Sequence, residues 1–331
     1  MNNFSHLPKQ PPMTAPIQGS SAYTSAYRIK FLSAYIAICL IWGSTFLAIR
    51  FALASFPPFL MAGVRFAIAG AILFAVAKLQ GVEMPTRKHW QSALVTGFLL
   101  ILVFNGGLVL AVGRIHSSIV AVLSTTIPVW MVLIEWVRPG GTRPNAGTIA
   151  GLCLGLLGIT VLVQPWNYLQ SAFGAATTDA IGVLISIIAM LGWSLGSIFA
   201  RSLTLPSSPF MTTAIQMLLG SVMLTGIGTF MGEWARFDAA RVTSSALIAL
   251  LFLIVFGSIV AYSSYMWLLR NGSPALVSTY TYINPIVAII LGSALAGEPV
   301  TSLLMVALVC ILAAIYFIAR FRPPAPKPAA K

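Results

Sequence analysis

Long apolar runs, each closed by a short polar, Pro- or Gly-bearing break, make up almost the whole of this chain. A helix rises about 1.5 Å per residue, so about 20 consecutive apolar residues cross the hydrocarbon of a bilayer. Windows of that length predict helices near 31–53, 58–78, 90–112, 116–137, 146–164, 179–200, 211–231, 245–268, 275–296 and 300–320. The breaks carry loop chemistry: Phe56-Pro57-Pro58, Gly81 to His89, Pro139-Gly140-Gly141, Pro165 to Thr178, Leu205 to Pro209 and Asn271-Gly272-Ser273-Pro274. The expectation is an all-α polytopic membrane protein with ten transmembrane helices.

Composition agrees. Of 331 residues 58% are hydrophobic and 8% charged, and the mean hydropathy is +0.93; soluble domains carry about a quarter charged residues, so a water-soluble globule is excluded. The net charge of +13 would suggest nucleic acid in a soluble protein, but here the basic residues sit between apolar runs and act as a topology signal. With the N-terminus inside, fourteen of the 19 Lys and Arg are cytoplasmic and only Arg50, Arg114, Arg236 and Arg241 are external. Both termini are therefore expected on the cytoplasmic side of a bacterial inner membrane. Residues 1–30 read as a disordered tail without a cleavable signal core, and 321–331 as a Pro-rich tail. Cys39, Cys153 and Cys310 each fall inside an apolar run and imply no disulfide framework.

The two halves, 31–164 and 179–320, repeat a design across an external linker at 165–178. Trp42 precedes Arg50 by eight residues, as Trp193 precedes Arg201; Pro58 precedes Arg65 by seven, as Pro209 precedes Gln216. A shift of 157 carries Asn105 onto Tyr262, Ser124 onto Thr281 and Pro128 onto Pro285. Five helices per half place the repeats in inverted orientations. Inverted repeats set a binding site at mid-membrane between the halves, with access alternating as one half rocks against the other.

Trp42-Gly43-Ser44-Thr45-Phe46, the Pro58 to Arg65 spacing, the two Pro-bearing helices and Gly297-Glu298-Pro299 together resemble the EamA family of the drug/metabolite transporter superfamily, over residues 31–320. The resemblance implies two inverted five-helix repeats around a central cavity, and export of small metabolites such as amino acids. It also implies an acidic residue after the fourth helix of each repeat. Glu298 fits, whereas the first half has Gly141, and Glu135 lies six residues too early.

Several residues are candidates for that cavity. Trp42 and Trp193 lie well inside their helices, unlike Trp90, Trp166 and Trp234 near span ends, and are expected as cavity walls, with Thr45 on the face of Trp42. Asn105, Tyr262, Tyr280 and Asn284 suit a pocket for a neutral or zwitterionic molecule. Pro128 and Pro285 free the carbonyls of Ser124 and Thr281, both hydroxyl-bearing, giving two kinked helices that can act as gates. Arg65 lies seven residues into the second helix. A mid-helix guanidinium is costly in lipid and needs a partner, expected to be Glu298 or a substrate carboxylate.

Other chemistries lack their residues. His6, His89 and His116 fall in tails or at helix ends, no His, Cys, Asp or Glu cluster has metal-ligand spacing, and paired acids for group transfer are absent. No enzyme, cofactor or metal is expected. The partners are a small-molecule substrate and the lipid bilayer, not nucleic acid, and the sequence leaves monomer and homodimer open. The reading is a carrier exporting amino acids or related zwitterions. The alternative is proton-coupled efflux of drugs or toxic organic compounds, which usually rests on an intramembrane acid.

Overall fold

The computed structural model describes residues 25–137, 144–163, 177–271 and 280–321, and these hold helices and no strand. Helices α1 (Ser25–Ala52) and α2 (Pro58–Leu79) lead to a rod built of α3 (Arg87–Gly97), a π-helical stretch (Phe98–Gly106) and α4 (Gly107–Val112). Next come α5 (Ser117–Ser124), α6 (Ile127–Val137) and α7 (Ala146–Val163). The second part opens with α8 (Thr177–Ser202), α9 (Pro209–Phe230) and the short α10 (Glu233–Arg236). A rod of α11 (Ser244–Phe252), a second π-helical stretch (Leu253–Val260) and α12 (Ala261–Asn271) follows, then α13 (Tyr280–Ala296) and α14 (Ser302–Arg320). Seven helical segments are long and apolar enough to cross a membrane, and three shorter apolar ones, Ala146–Gly158, Ile283–Ala296 and Ser302–Ile318, occupy the other expected spans.

Three differences from the sequence reading have physical causes. First, α1 starts at Ser25, six residues before the apolar window, because its polar first turns are anchored. Tyr27 donates its hydroxyl to the Asn271 carbonyl at 2.8 Å, and Lys30 lies 5.0 Å from the Trp267 ring centre. Second, the expected 116–137 helix is divided at Thr125 and Thr126, since Pro128 cannot donate to the Ser124 carbonyl. Ser124, Thr125 and Thr126 turn their hydroxyls back onto the carbonyls of Ala121, Val122 and Leu123 at 2.6–2.7 Å. Pro285, by contrast, sits inside an unbroken α13. Third, two rods contain π-helical turns that periodicity does not reveal. The expected breaks at Pro139-Gly140-Gly141, Pro165 to 176 and Gly272-Ser273-Pro274, with residues 1–24 and 322–331, lie outside the described residues.

Packing follows from helices that are apolar on every side. The inward face buries large side chains such as Ile38, Phe66, Met190 and Leu224, while Ile68, Val222, Leu247 and Phe230 point outward. α2 lies along α9, and α7 along α14. α1 packs on α11, α12 and α13, and α8 packs on the first π stretch, α4 and α6. Lipid supplies no hydrophobic drive for helix association, so small residues and close contact hold the rods together. A Cβ at Gly97 would stand 2.9 Å from the Gln216 carbonyl oxygen, and one at Gly151 2.8 Å from that of Ala314.

Backbone cannot move aside as a side chain can. Gly97→Ala and Gly151→Ala should therefore each lower stability in detergent, by about 1–3 kcal/mol. Gly226→Ala, where nothing stands within 4 Å, should leave it unchanged or raise it by up to about 1 kcal/mol through helix propensity. Thermal unfolding of the three purified variants tests the contrast.

Candidate functional site

Between α1, α2, the two π-bearing rods, α5, α6, α8 and α13 lies a cavity. It is lined by Trp42, Thr45, Phe46, Arg65, Phe104, Asn105, Leu108, Ser124, Ile127, Trp193, Tyr262, Tyr280, Thr281 and Asn284. All eight residues expected to form a substrate pocket are among these, as are the two hydroxyl residues of the Pro-bearing helices. Pro128 and Pro285 themselves do not line it. Except for Phe104, every lining residue is buried, so the cavity walls belong to the protein interior.

Trp42 is the hub of an aromatic cluster. Its ring lies 5.0 Å from Tyr280, 5.2 Å from Tyr265, 5.3 Å from Tyr262 and 6.1 Å from Trp193, mostly tilted or edge-on, as ring quadrupoles prefer. Phe104 adds a ring 4.5 Å from Trp193. The indole orientation is set by a donor bond from Trp42 Nε1 to the Gly257 carbonyl at 3.1 Å. Gly257 belongs to the second π stretch, and π turns shift the helical ladder so that a carbonyl can serve another partner. In the first π stretch Asn105 Nδ2 plays the corresponding part, donating to Leu100 O at 2.8 Å.

Arg65 is 3% exposed, and its Nε donates to Ser258 Oγ at 2.8 Å. Gln216, matched to Arg65 by its spacing from a proline in sequence, donates from Nε2 to Thr96 Oγ1 at 2.8 Å. Each polar side chain thus reaches a hydroxyl on the α3 or second-π rod of the opposite half. The Thr45 and Ser124 hydroxyls donate to Trp42 O and Ala121 O, both at 2.7 Å, which leaves them to act in the cavity as acceptors. Asn284, with its amide oriented to donate, serves the carbonyls of Tyr280 and Cys39 at 3.1 Å each.

Arg65 and Glu298 do not form the expected pair. Glu298 meets Arg50 instead, whose Nη1 donates to Oε1 at 2.6 Å and also to His116 Nδ1 at 3.1 Å. Arg50 is two residues from the end of α1, level with a carboxylate in the loop beyond α13, whereas Arg65 lies two turns deeper. Ser117 N and Oγ donate to the same Oε1 at 3.0 and 2.6 Å, and Ser118 N to Oε2 at 3.0 Å. Glu298, 3% exposed, thereby caps the N-terminus of α5 from across the protein. Burial alone would raise its pKa, but the Ser117 and Ser118 donors outweigh burial and hold it at about 2.

A second buried carboxylate does the same for α2. Glu233 Oε1 and Oε2 accept from Phe59 N and Leu60 N at 3.2 and 2.8 Å, where the preceding Pro57 offers no side-chain cap. Sequence reasoning missed Glu233, although a signal existed. Gly232-Glu233 and Gly297-Glu298 share a dipeptide, and each Gly has positive φ (69° and 62°), the left-handed turn that ends a helix and folds the next residue back. Missed too were Phe46, Phe104, Leu108 and Ile127 of the lining, which look like any other apolar helix residue in sequence.

The EamA-like transporter family model matches residues 30–164 and 180–320, in two copies. The chain is 34% identical over 291 residues to the uncharacterized inner membrane transporter YedA of Escherichia coli, covering 88% of this chain and 90% of that one. It is 27% identical to the uncharacterized transporter YvbV of Bacillus subtilis, over 87% and 90% of the two chains. A protein of known crystal structure, 20% identical, shares the fold with a TM-score of 0.60 over 88% of this chain and 97% of its own.

Because the Glu298 pKa is lowered in the folded protein, its contribution to stability is present above the ordinary carboxylate value of 4.5 and disappears as pH falls toward about 2. The melting temperature of Glu298→Gln in detergent should lie below that of the unaltered protein by a constant margin from pH 8 to pH 5. That margin should narrow below pH 4.5 and is read by thermal unfolding across the pH series.

Proposed function

Since this chain belongs to the EamA-like transporter family and is a membrane transporter, we propose that it is an inner-membrane carrier exporting small metabolites, amino acids or related zwitterions foremost, by alternating access. The observation that carries the reading is the cavity with buried walls, formed by α1, α2, the first π-bearing rod, α5 and α6 of the first half and by α8, the second π-bearing rod and α13 of the second. One cationic side chain, several hydroxyl acceptors and aromatic walls suit a molecule with an acid group, N–H donors and an apolar body. The relatives' names, which call them transporters, one of them of the inner membrane, support a carrier rather than an enzyme.

The finer architecture belongs to the same proposal: ten crossings in two inverted five-helix repeats, with both termini cytoplasmic. Its support is a reciprocal packing pattern. Second helices pair with each other (α2 with α9) and so do fifth helices (α7 with α14). The first helix of each half packs on the third and fourth rods of the other, α1 on α11 to α13 and α8 on the first π stretch, α4 and α6. Two copies of the family model and the charge bias along the chain support it as well. In this frame Glu298, Arg50 and the start of α5 form a latch closing the cavity at its external end, and outward opening requires the latch to part.

Proton-coupled drug efflux fits less well. Among the lining residues there is no Asp or Glu, and Glu298 is committed as a helix cap whose Ser117 and Ser118 donors hold it below the ordinary carboxylate range.

Medium from cells expressing the protein should accumulate particular amino acids or related zwitterions relative to medium from cells expressing Trp42→Ala, Tyr280→Ala, at matched membrane levels, by broad mass spectrometry. Equal media would sink the export reading. Export should survive collapse of the pH gradient; loss of export on collapse, together with abolition by Glu298→Gln, would favour the proton-coupled alternative.

A further inference from the structure

We infer that Arg65 and Tyr262 form the acid-recognition pole of the cavity, so that the transported molecule is held by a carboxylate. This rests on the reading of the cavity as the substrate site. Arg65 has its Nε fixed by Ser258 Oγ, which pins the plane and direction of the guanidinium. Among the described residues nothing accepts a hydrogen bond from Nη1 or Nη2, and no carboxylate pairs with them. The guanidinium end lies over Gly257, where a Cβ would stand 3.2 Å from Nη2, so the glycine leaves the fork its room. A guanidinium fork with two unused N–H donors matches a planar carboxylate bidentately, which a point-charge ammonium does not.

Tyr262 supplies the second observation. Its hydroxyl is fully buried, lines the same cavity and, with the Asn105 side chain facing it, makes no hydrogen bond of good geometry, in a residue 7% exposed. The Trp42 indole, bonded to the Gly257 carbonyl beside the Arg65 fork, lies 5.3 Å from the Tyr262 ring. Leaving a buried hydroxyl unsatisfied is costly, and such a group in a native cavity calls for a ligand that completes it. A carboxylate on the Arg65 fork offers further lone pairs, one of which can accept from the Tyr262 hydroxyl. The lining contains no acidic side chain to compete for either donor. Trp42, Trp193 and Phe104 then face the body of the molecule.

The test uses the purified full chain in detergent, with fluorescence of the cavity tryptophans and thermal shift as readouts. The probes are 3-phenylpropanoate, 3-phenylpropan-1-ol and 3-phenylpropylamine, which share a body and differ in head group, together with the twenty common L-amino acids. The propanoate should bind at least tenfold more tightly than the alcohol or the amine. Arg65→Lys should weaken propanoate binding at least tenfold, and Tyr262→Phe about three- to tenfold, with alcohol binding unchanged. Tyr262→Phe also guards against a folding artefact: removing an unpartnered hydroxyl should leave the melting temperature of the ligand-free protein unchanged or higher while binding weakens. The inference is overturned if the propanoate does not bind, if the alcohol or amine binds as well, or if both variants bind it as the unaltered protein does. Propanoate binding with no response to any amino acid would uphold the acid pole and overturn the amino-acid reading. Amino-acid export undiminished in Arg65→Lys would do the reverse.

Discussion

Hydrocarbon offers no hydrogen bonds, so every backbone donor and acceptor at membrane depth must find its partner inside the protein, and most of the unusual features of this structure are ways of meeting that demand. Where Pro128 withholds a donor, three successive hydroxyls bond back to carbonyls one turn earlier. Where α2 and α5 begin without a useful cap of their own, a buried carboxylate arrives from another segment. Where two helices loosen into π turns, Asn105 and Trp42 donate to carbonyls there. Each repair consumes a polar side chain that could otherwise be taken for a binding group.

That accounting separates structural polar groups from those left over. The hydroxyl protons of Thr45 and Ser124 are spent on their own helices, and the Asn284 amide is spent on two carbonyls. Glu298 and Glu233, the buried acids among the described residues, are fully occupied as caps. Donors that remain unspent in the cavity include the outer fork of Arg65 and the Tyr262 hydroxyl. Donor capacity without acceptors is an invitation to an anion, and it sits beside aromatic walls that welcome an apolar body. A site of this kind derives its selectivity from a few unsatisfied groups in an otherwise self-sufficient interior.

The caps also tie distant parts of the chain together. Glu298 joins the loop after α13 to the end of α1 and the start of α5, and Glu233 joins the start of α10 to the start of α2. Both glutamates follow a left-handed glycine, and both tuck against a glycine one to two turns back, Gly292 and Gly228, where a Cβ would come within 2.7 and 2.9 Å of the carboxylate. A helix N-terminus stabilises negative charge, so these contacts hold each glutamate and its backbone against the helix start it caps.

By itself the sequence determined the all-helical class, the positions of the apolar segments to within a few residues, the family resemblance and ten of the fourteen residues that line the cavity, because helical periodicity and lipid solubility are local properties and polar or aromatic residues inside an apolar helix stand out. Tertiary structure decided what local patterns cannot hold: which arginine meets Glu298, that Glu233 caps α2, where the ladder loosens into π turns, and which apolar side chains complete the cavity wall. In sequence Arg50 reads as external and Arg65 as lying within the second helix, and only the depth of each along its helix against the loop carrying Glu298 assigns that carboxylate to Arg50. Partner choice in this interior is settled by distance across the bundle, which is a property of the assembled helices and of no single one.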